Sequence, residues 1–234
     1  MALPTLNAAK YKTVIPSLNK EIEYRPYLVK EEKILMIAME SKDQRQILTA
    51  LKDVIKTCVY DDIDVDKLAM FDLEALFLKL RGKSVGETTE IKVKCEHCDA
   101  ENLQEINFDE IKMPVVKKQN NVIPLTDDIG VTLAYPSVKG LESQDQKASQ
   151  VDQAMAMIVD CIESIYDANA VYSAKDEGTK AVKEFVESLN STQFKKLTEY
   201  FEDLPAVTYD MHFDCVKCGK KNEMELRGFD NFFG

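Results

Sequence analysis

The stretch KVKCEHCDAENLQEI, residues 92–106, recurs as MHFDCVKCGKKNEMEL at residues 211–226. Each copy has the pattern of a strand, a Cys-x-x-Cys pair, three residues, an asparagine and a second strand. Two thiolates separated by two residues on a tight turn can both face one metal ion, and backbone N–H groups of the turn can stabilise their charge. The residue after each second cysteine is Asp99 or Gly219, types that tolerate the left-handed conformation. The repeat therefore predicts two zinc knuckles.

Two knuckles together supply the four sulfur ligands of a closed tetrahedral Zn²⁺ site, which are Cys95, Cys98, Cys215 and Cys218. The alternatives are four thiols without a metal, or two redox pairs. Thioredoxin-type pairs follow a strand and open a helix, whereas these pairs lie within strand–turn–strand segments. His97 and His212 lie beside the cysteines and are alternative ligands, although neither spacing requires them. We predict a structural zinc ion held by the four cysteines.

The overall composition argues against nucleic acid and against a membrane. The 234 residues include 41 acidic and 30 basic side chains, a formal charge of −11, which repels phosphate backbones. The longest apolar run, Ile34–Met39, is far shorter than the roughly 18 residues needed to cross a bilayer, and we expect it to be a buried helix turn. Because the N-terminus lacks the apolar core of a signal peptide, six cysteines indicate a reducing compartment.

Lysines flank both knuckles, namely Lys92, Lys94, Lys217, Lys220 and Lys221. Four thiolates and Zn²⁺ sum to −2, and these lysines would offset that charge. They are also the one feature that suggests nucleic acid, which many zinc ribbons bind. No aromatic residues alternate with them to form a base-stacking platform, so charge balance is the favoured interpretation.

The patterns along the chain predict an α+β fold, with a mainly helical body inserted in a split zinc ribbon and an N-terminal β-hairpin. We expect one domain over residues 1–234. Its predicted parts are an N-terminal β segment at 1–30, a helical region at 31–87, the split ribbon at 88–108 and 206–228, and a helical insertion at 140–205. The metal would tie residue 95 to residue 218 and close the middle of the chain into a ring. Closing a ring of about 100 residues stabilises a fold by roughly 4–5 kcal/mol in the chain-entropy model, so we expect metal removal to loosen the inserted helices.

Individual helices follow from apolar spacing. One apolar face consists of Ile47, Leu48, Leu51, Val54, Ile55 and Cys58. A second stripe consists of Val151, Met155, Ile158, Ile162 and Ile165, which predicts one helix that continues to the polar segment at 173–179. A third helix is expected to end just before Gly82. Cys58 and Cys161 belong to or lie beside such faces, where buried thiols are the default.

Catalytic patterns are missing from the sequence. It has no Gly-rich phosphate loop, no GxSxG elbow and no HExxH motif, and its two histidines both lie in the ribbon segments. We therefore predict no enzymatic activity, no catalytic residues and no small-molecule substrate. The C-terminal aromatic residues Phe229, Phe232 and Phe233 have two open interpretations: they pack on their own ribbon, or they dock into a neighbouring chain.

Three segments carry a resemblance to a known family: RPYLVKEEKILMIAMES (25–41), DVDKLAMFDLEALFLKLRGKSVGE (64–87) and DIGVTLAYP (128–136). In this order they resemble the baseplate hub subunit family of T-even-like bacteriophages. The resemblance implies a structural or assembly role in a contractile tail, with other tail and baseplate hub proteins as partners. It places the protein in the host cytoplasm during assembly and in the virion tail baseplate. A hub-assembly chaperone outside the virion and a zinc-ribbon adaptor for nucleic acid or transcription remain alternatives.

Overall fold

The computed structural model describes residues 8–116, 121–145 and 147–228. The predicted aromatic residues Phe229, Phe232 and Phe233 lie outside the described residues. By internal contacts the chain divides into unit 1, which takes in 1–65, 71–115 and 205–234, and unit 2, which takes in 66–70 and 116–204. The predicted domain ranges, including one domain over 1–234, stay predictions.

Groups of helices and groups of short strands follow one another along the described chain, which makes the fold mixed α+β. In chain order the elements are β1 (Tyr11–Ile15), β2 (Lys20–Tyr24), α1 (Val29–Ser41), α2 (Gln44–Cys58), α3 (Met70–Ser84), β3 (Thr88–Lys94), β4 (Glu101–Asn107), β5 (Val122–Pro124), β6 (Gly130–Leu133), α4 (Val138–Ser143), α5 (Gln150–Cys161), β7 (Ile162–Tyr166), β8 (Val171–Ser173), α6 (Ala174–Glu177), α7 (Thr179–Glu187), α8 (Ser191–Glu202), β9 (Thr208–Asp214) and β10 (Lys221–Arg227). Within the described ranges, no helix is long and apolar enough to span a membrane.

The N-terminal hairpin of unit 1 pairs β1 with β2 in antiparallel register, Tyr11 opposite Tyr24. Its turn is fixed by Asp72 at the start of α3, because this buried carboxylate accepts hydrogen bonds from the N–H and the hydroxyl of Ser17. The predicted N-terminal β-hairpin is present, and its turn is held by a residue distant in sequence.

Helix α2 has the apolar face that its spacing predicted. Asp43 caps its N-terminus by accepting hydrogen bonds from the N–H groups of Arg45 and Gln46. The buried residues are Ala50, Leu51, Lys52, Val54, Ile55 and Cys58, so the expected burial of the Cys58 thiol is confirmed. Burial also raises the pKa of that thiol to about 11, which keeps it protonated.

Two expectations for the helices of unit 1 are wrong. The run Ile34–Met39 is not a buried turn, since Ile34, Met36, Ile37 and Met39 are exposed while Leu35 and Ala38 are buried. Six consecutive helical residues point in all directions around the helix axis. When one face of α1 packs against α2, the side chains on the other faces therefore remain in solvent. Helix α3 also continues past Gly82 to Ser84. Gly82 is buried within α3, where a Cβ would lie at ordinary contact distance, 3.4 Å, from the Cβ of Phe108, so this glycine does not end the helix.

The repeated segments of unit 1 form two antiparallel hairpins, β3–β4 and β9–β10. Corresponding positions are buried in both, and one cluster with Ala75 and Leu78 of α3 includes Ile91, Val93, Ile106, Met211, Phe213 and Leu226. The two hairpins thus share an apolar core. One Cys-x-x-Cys turn connects β3 to β4, and the other connects β9 to β10.

Unit 2 contains a four-stranded antiparallel sheet in the order β5-β6-β7-β8. Its own core includes Leu133, Ile158, Val182 and Leu197, and Cys161 is buried as expected. The predicted continuous helix through Ile165 is wrong, because α5 ends at Cys161 and the next residues form β7. Ile162 and Ile165 are β-branched residues that suit a strand, and Ile165 pairs with Val131 of β6. The segment at 140–205, predicted as a helical insertion, therefore also contains the strands β7 and β8.

Candidate metal centre

The four predicted ligands come together in unit 1. The sulfur atoms of Cys95, Cys98, Cys215 and Cys218 all lie within 4.8 Å of one another. The distance from Cys95 Sγ to Cys218 Sγ is 3.7 Å, and that from Cys98 Sγ to Cys215 Sγ is 3.6 Å. A tetrahedral zinc ion with Zn–S bonds of about 2.3 Å requires sulfur atoms about 3.8 Å apart, whereas a disulfide requires about 2.05 Å. The spacing fits the four ligands of one metal ion.

Both turns have the same backbone construction. The N–H of Asp99 donates to the carbonyl of Cys95, and the N–H of Gly219 donates to the carbonyl of Cys215, each at 2.9 Å. Asp99 has φ 55° and Gly219 has φ 68°, which is the left-handed conformation that the sequence predicts. This conformation reverses the chain directly after each second cysteine and brings both thiols of a pair to one side.

Backbone N–H groups point at the first sulfur of each pair. The N–H of His97 donates to Cys95 Sγ and the N–H of Lys217 donates to Cys215 Sγ, each at 3.4 Å. The N–H of Cys218, together with that of Lys217, outweighs burial and lowers the pKa of the Cys215 thiol to about 6. A thiolate is the form that binds a metal, so the turns prepare these sulfurs as ligands.

The thiol of Cys98 shows the opposite tendency. The N–H of Ala100 lowers its pKa, but burial and hydrogen bonds with the neighbouring sulfurs, including that of Cys218, outweigh it and raise the pKa to about 12. Sulfur atoms this close resist ionising together, since each thiolate disfavours the next. A divalent cation among the sulfurs removes that conflict, which is a chemical reason for this donor set to hold one.

Two buried asparagines connect the turns. Asn102 Oδ1 accepts a hydrogen bond from the N–H of Val216 at 2.9 Å, and Asn222 Oδ1 accepts one from the N–H of Glu96 at 3.0 Å. Both asparagines are 2 % exposed. Both asparagines belong to the repeat seen in the sequence, but no role was predicted for them. The recurrence of an asparagine at the same place in both copies was the available signal.

Neither histidine belongs to the four-residue group of possible ligands found among the described residues. The Nε2 atom of His97 lies 3.1 Å from the carbonyl oxygen of Lys221, so this ring joins the hairpins by a hydrogen bond. The Nδ1 atom of His212 lies 4.0 Å from a carboxylate oxygen of Glu223. The geometry therefore favours the four-cysteine set over sets that include a histidine.

All five flanking lysines are exposed, namely Lys92, Lys94, Lys217, Lys220 and Lys221. They lie in the same segments as the four cysteines, whose zinc complex would carry a charge of −2. In solvent such long-range attraction is weak but favourable. The placement agrees with a charge-balancing role.

A family model described as T4 bacteriophage base plate protein matches residues 8–234. The chain belongs to this family. The match covers nearly the whole chain of this baseplate protein, including both hairpins. Membership indicates a structural role in the phage tail and favours it over an enzymatic one. It also indicates other phage tail proteins as the interaction partners. No curated protein and no solved structure matches the chain.

Proposed function

We propose that this baseplate protein is a structural or assembly component of the hub of a contractile phage tail. In this proposal one zinc ion stabilises the subunit, and its surfaces bind other hub and tail proteins. The family match over residues 8–234 carries the proposal, because it extends through both compact units. The hub assignment rests further on the resemblance of residues 25–41, 64–87 and 128–136.

The proposed zinc ion would be held by Cys95, Cys98, Cys215 and Cys218. Four protein sulfurs leave no open coordination position, so the ion would supply structure instead of catalysis. Its effect would be to fasten together two hairpins that are far apart in the chain. The sulfur distances of 3.6 and 3.7 Å and the N–H groups aimed at Cys95 and Cys215 support this role.

A role in binding proteins is supported by charge and by exposed apolar surface. The formal charge of −11 disfavours binding to nucleic acid. Helix α1 exposes several large apolar side chains, with Val29 79 % and Met36 58 % exposed. Large apolar side chains exposed on one element are the kind of surface that binds other proteins when they form a patch. We propose the host cytoplasm as the place of assembly and the virion tail as the destination.

Quantitative mass spectrometry of purified virions, combined with cross-linking, tests this proposal. A hub subunit is expected at a fixed ratio to known tail proteins, with cross-links to proteins of the central baseplate. Partly assembled tails from the same infection provide the comparison sample. Presence in these intermediates and absence from finished virions would support an assembly chaperone instead. Cross-links confined to peripheral baseplate proteins would contradict the hub location.

A further inference from the structure

One side of helix α1 is exposed along most of its length. Val29, Met36 and Ile37 are 79 %, 58 % and 57 % exposed, and Lys33 and Glu40 are also exposed. A helix of about 3.6 residues per turn places these positions within about 100° of one another around its axis. The opposite side holds the buried residues of α1. We call the surface formed by Val29, Lys33, Met36, Ile37 and Glu40 the α1 face.

The apolar centre of the α1 face lies between two opposite charges. Lys33 precedes Met36 by three residues, and Glu40 follows Ile37 by three residues. The cation and the anion therefore lie at equal distances, about 5 Å along the helix axis, from the midpoint of the face. A half-turn that exchanges the two ends of the face places each lysine opposite a glutamate. The α1 face is thus complementary to a reversed copy of itself.

The position of Glu40 is unfavourable in an isolated helix. It lies in the last turn of α1, which ends at Ser41, and the C-terminal end of a helix dipole carries partial negative charge. In an antiparallel pair of α1 helices, Glu40 lies beside the N-terminal half of the other helix, where the dipole is favourable and Lys33 is nearby. The placement of this carboxylate therefore favours a second copy in the antiparallel orientation.

A groove beside the α1 face offers room for a side chain of the second copy. It has a volume of about 210 Å³, and its apolar lining includes Met36, Met39, Ile47 and Phe77. Met36 belongs to both the groove and the α1 face. In a two-fold symmetric antiparallel pair, a residue close to the midpoint faces the same residue of the other copy, so Met36 of the partner subunit arrives beside this groove. Methionine side chains are flexible and fill irregular apolar gaps.

We propose that two copies of this chain pair through their α1 faces as an antiparallel, two-fold symmetric dimer. Met36 and Ile37 form the centre of the contact. Lys33 forms an ion pair with Glu40 of the partner subunit, and the symmetry creates this ion pair twice. Burial of the apolar side chains drives association, and the charges fix the orientation because a parallel pair would place like charges opposite each other. This inference concerns the free subunit and depends on neither the zinc ion nor the hub assignment.

Sedimentation velocity of the purified full-length chain tests the dimer. One helix from each copy makes a small contact, so wild type is expected to change from monomer to dimer as its concentration rises through the micromolar range. Ile37→Glu brings two carboxylates into the apolar centre of the dimer and should weaken dimerisation about a hundredfold. Val151→Glu, a change at an exposed valine of a helix in unit 2, is the matched control and should dimerise like wild type.

Charge reversal tests the orientation. Lys33→Glu and Glu40→Lys should each weaken dimerisation about tenfold at low salt, because each replaces two attractions by two repulsions. An equimolar mixture of the two variants should recover wild-type dimerisation, since both contacts of the mixed dimer again join opposite charges, and the double variant should recover it for the same reason. Lys139→Glu, at an exposed lysine of unit 2, is the control and should have no effect. A near-ultraviolet circular dichroism spectrum checks that each variant is folded.

Several results would overturn the proposal. A wild-type chain that stays monomeric up to millimolar concentration would mean that the α1 face does not bind a second copy. A dimer that persists unchanged in the Ile37→Glu variant would place the contact on another surface. Single charge reversals that leave dimerisation unchanged would contradict the antiparallel orientation, and so would reversals whose effect is not recovered on mixing.

Discussion

Asn102 and Asn222 link the two hairpins, because each side-chain carbonyl accepts a hydrogen bond from a backbone N–H in the Cys-x-x-Cys turn of the other hairpin. Each amide nitrogen also donates to a carbonyl of its own turn, Ala100 for Asn102 and Lys220 for Asn222. The two residues therefore fasten both turns from inside, independently of any metal. The arrangement repeats with the same partners on both sides, which makes the candidate metal centre nearly symmetric.

Replacing either asparagine should weaken the centre. We expect Asn102→Ala and Asn222→Ala each to lower the free energy of unfolding by about 1–2 kcal/mol, because an N–H of the opposite turn and one carbonyl of the same turn lose their partner. Urea denaturation at saturating zinc measures this. Glu101→Ala, at the exposed position before Asn102, is the control and should stay within experimental error. Equal effects for Glu101 and Asn102 would show that the cross-turn bonds contribute nothing.

Metal content tests the cysteine cluster directly. The purified protein is expected to contain about one zinc ion per chain, and Cys95→Ser should abolish stoichiometric binding because three sulfurs no longer close the tetrahedron. Elemental analysis by mass spectrometry gives the ratio. Cys58→Ala is the matched control, since this thiol is buried away from the cluster, and it should retain the metal. A metal-free wild-type protein of unchanged stability would contradict the proposed zinc; copurified iron would change the metal and not the ligands.

Chelation should act locally. From the sequence we expected metal removal to loosen the inserted helices, but unit 2 has a core of its own around Leu133, Ile158 and Leu197. We now expect a zinc chelator to reduce hydrogen-exchange protection at 88–108 and 206–228 and to leave residues 150–202 protected. Hydrogen exchange measured by mass spectrometry separates these regions. Loss of protection throughout 150–202 would show instead that the metal and both cores unfold together.

The pH dependence of stability should reveal the buried ion pair at the start of α1. Arg25 Nη2 lies 3.0 Å from Glu31 Oε1, and the N–H of Leu28 donates to Glu31 Oε2. Burial opposes ionisation of Glu31, but these hydrogen bonds outweigh it and lower its pKa below the ordinary value of 4.5. The stabilisation is therefore fully present above about pH 4.5 and disappears as the pH falls through the lower pKa of the folded state.

A variant whose side chain at position 31 cannot ionise tests this pH dependence. Glu31→Gln should lower the free energy of unfolding at pH 7 by about 2–3 kcal/mol, because it leaves the Arg25 guanidinium without its counter-charge. The difference from wild type should shrink as the pH falls below 4. Chemical denaturation from pH 3 to pH 7 measures both. Glu40→Gln, at an exposed position of the same helix, should follow the wild-type curve; a constant deficit at every pH would mean that the charge of Glu31 is irrelevant.

Local patterns determined the hairpin turns, the identity of the four clustered cysteines and the apolar face of α2. The cysteine spacing and the left-handed positions at Asp99 and Gly219 fix each turn over a few residues, so no distant contact is needed to predict them. The apolar period of α2 is similarly local, and its cap at Asp43 lies directly before it. The sequence alone was sufficient where the deciding interactions join residues close in the chain.

Tertiary structure alone decided three further features. The stripe through Ile162 and Ile165 fits a helix by period, but pairing with β6 makes it a strand, and a sheet partner distant in sequence cannot be read from spacing. The run Ile34–Met39 is apolar throughout, yet only packing against α2 selects which residues are buried. The roles of Asn102 and Asn222 also depend on the opposite hairpin. In each case burial or pairing is set by a neighbour far along the chain, and the free energy of that contact outweighs the local preference.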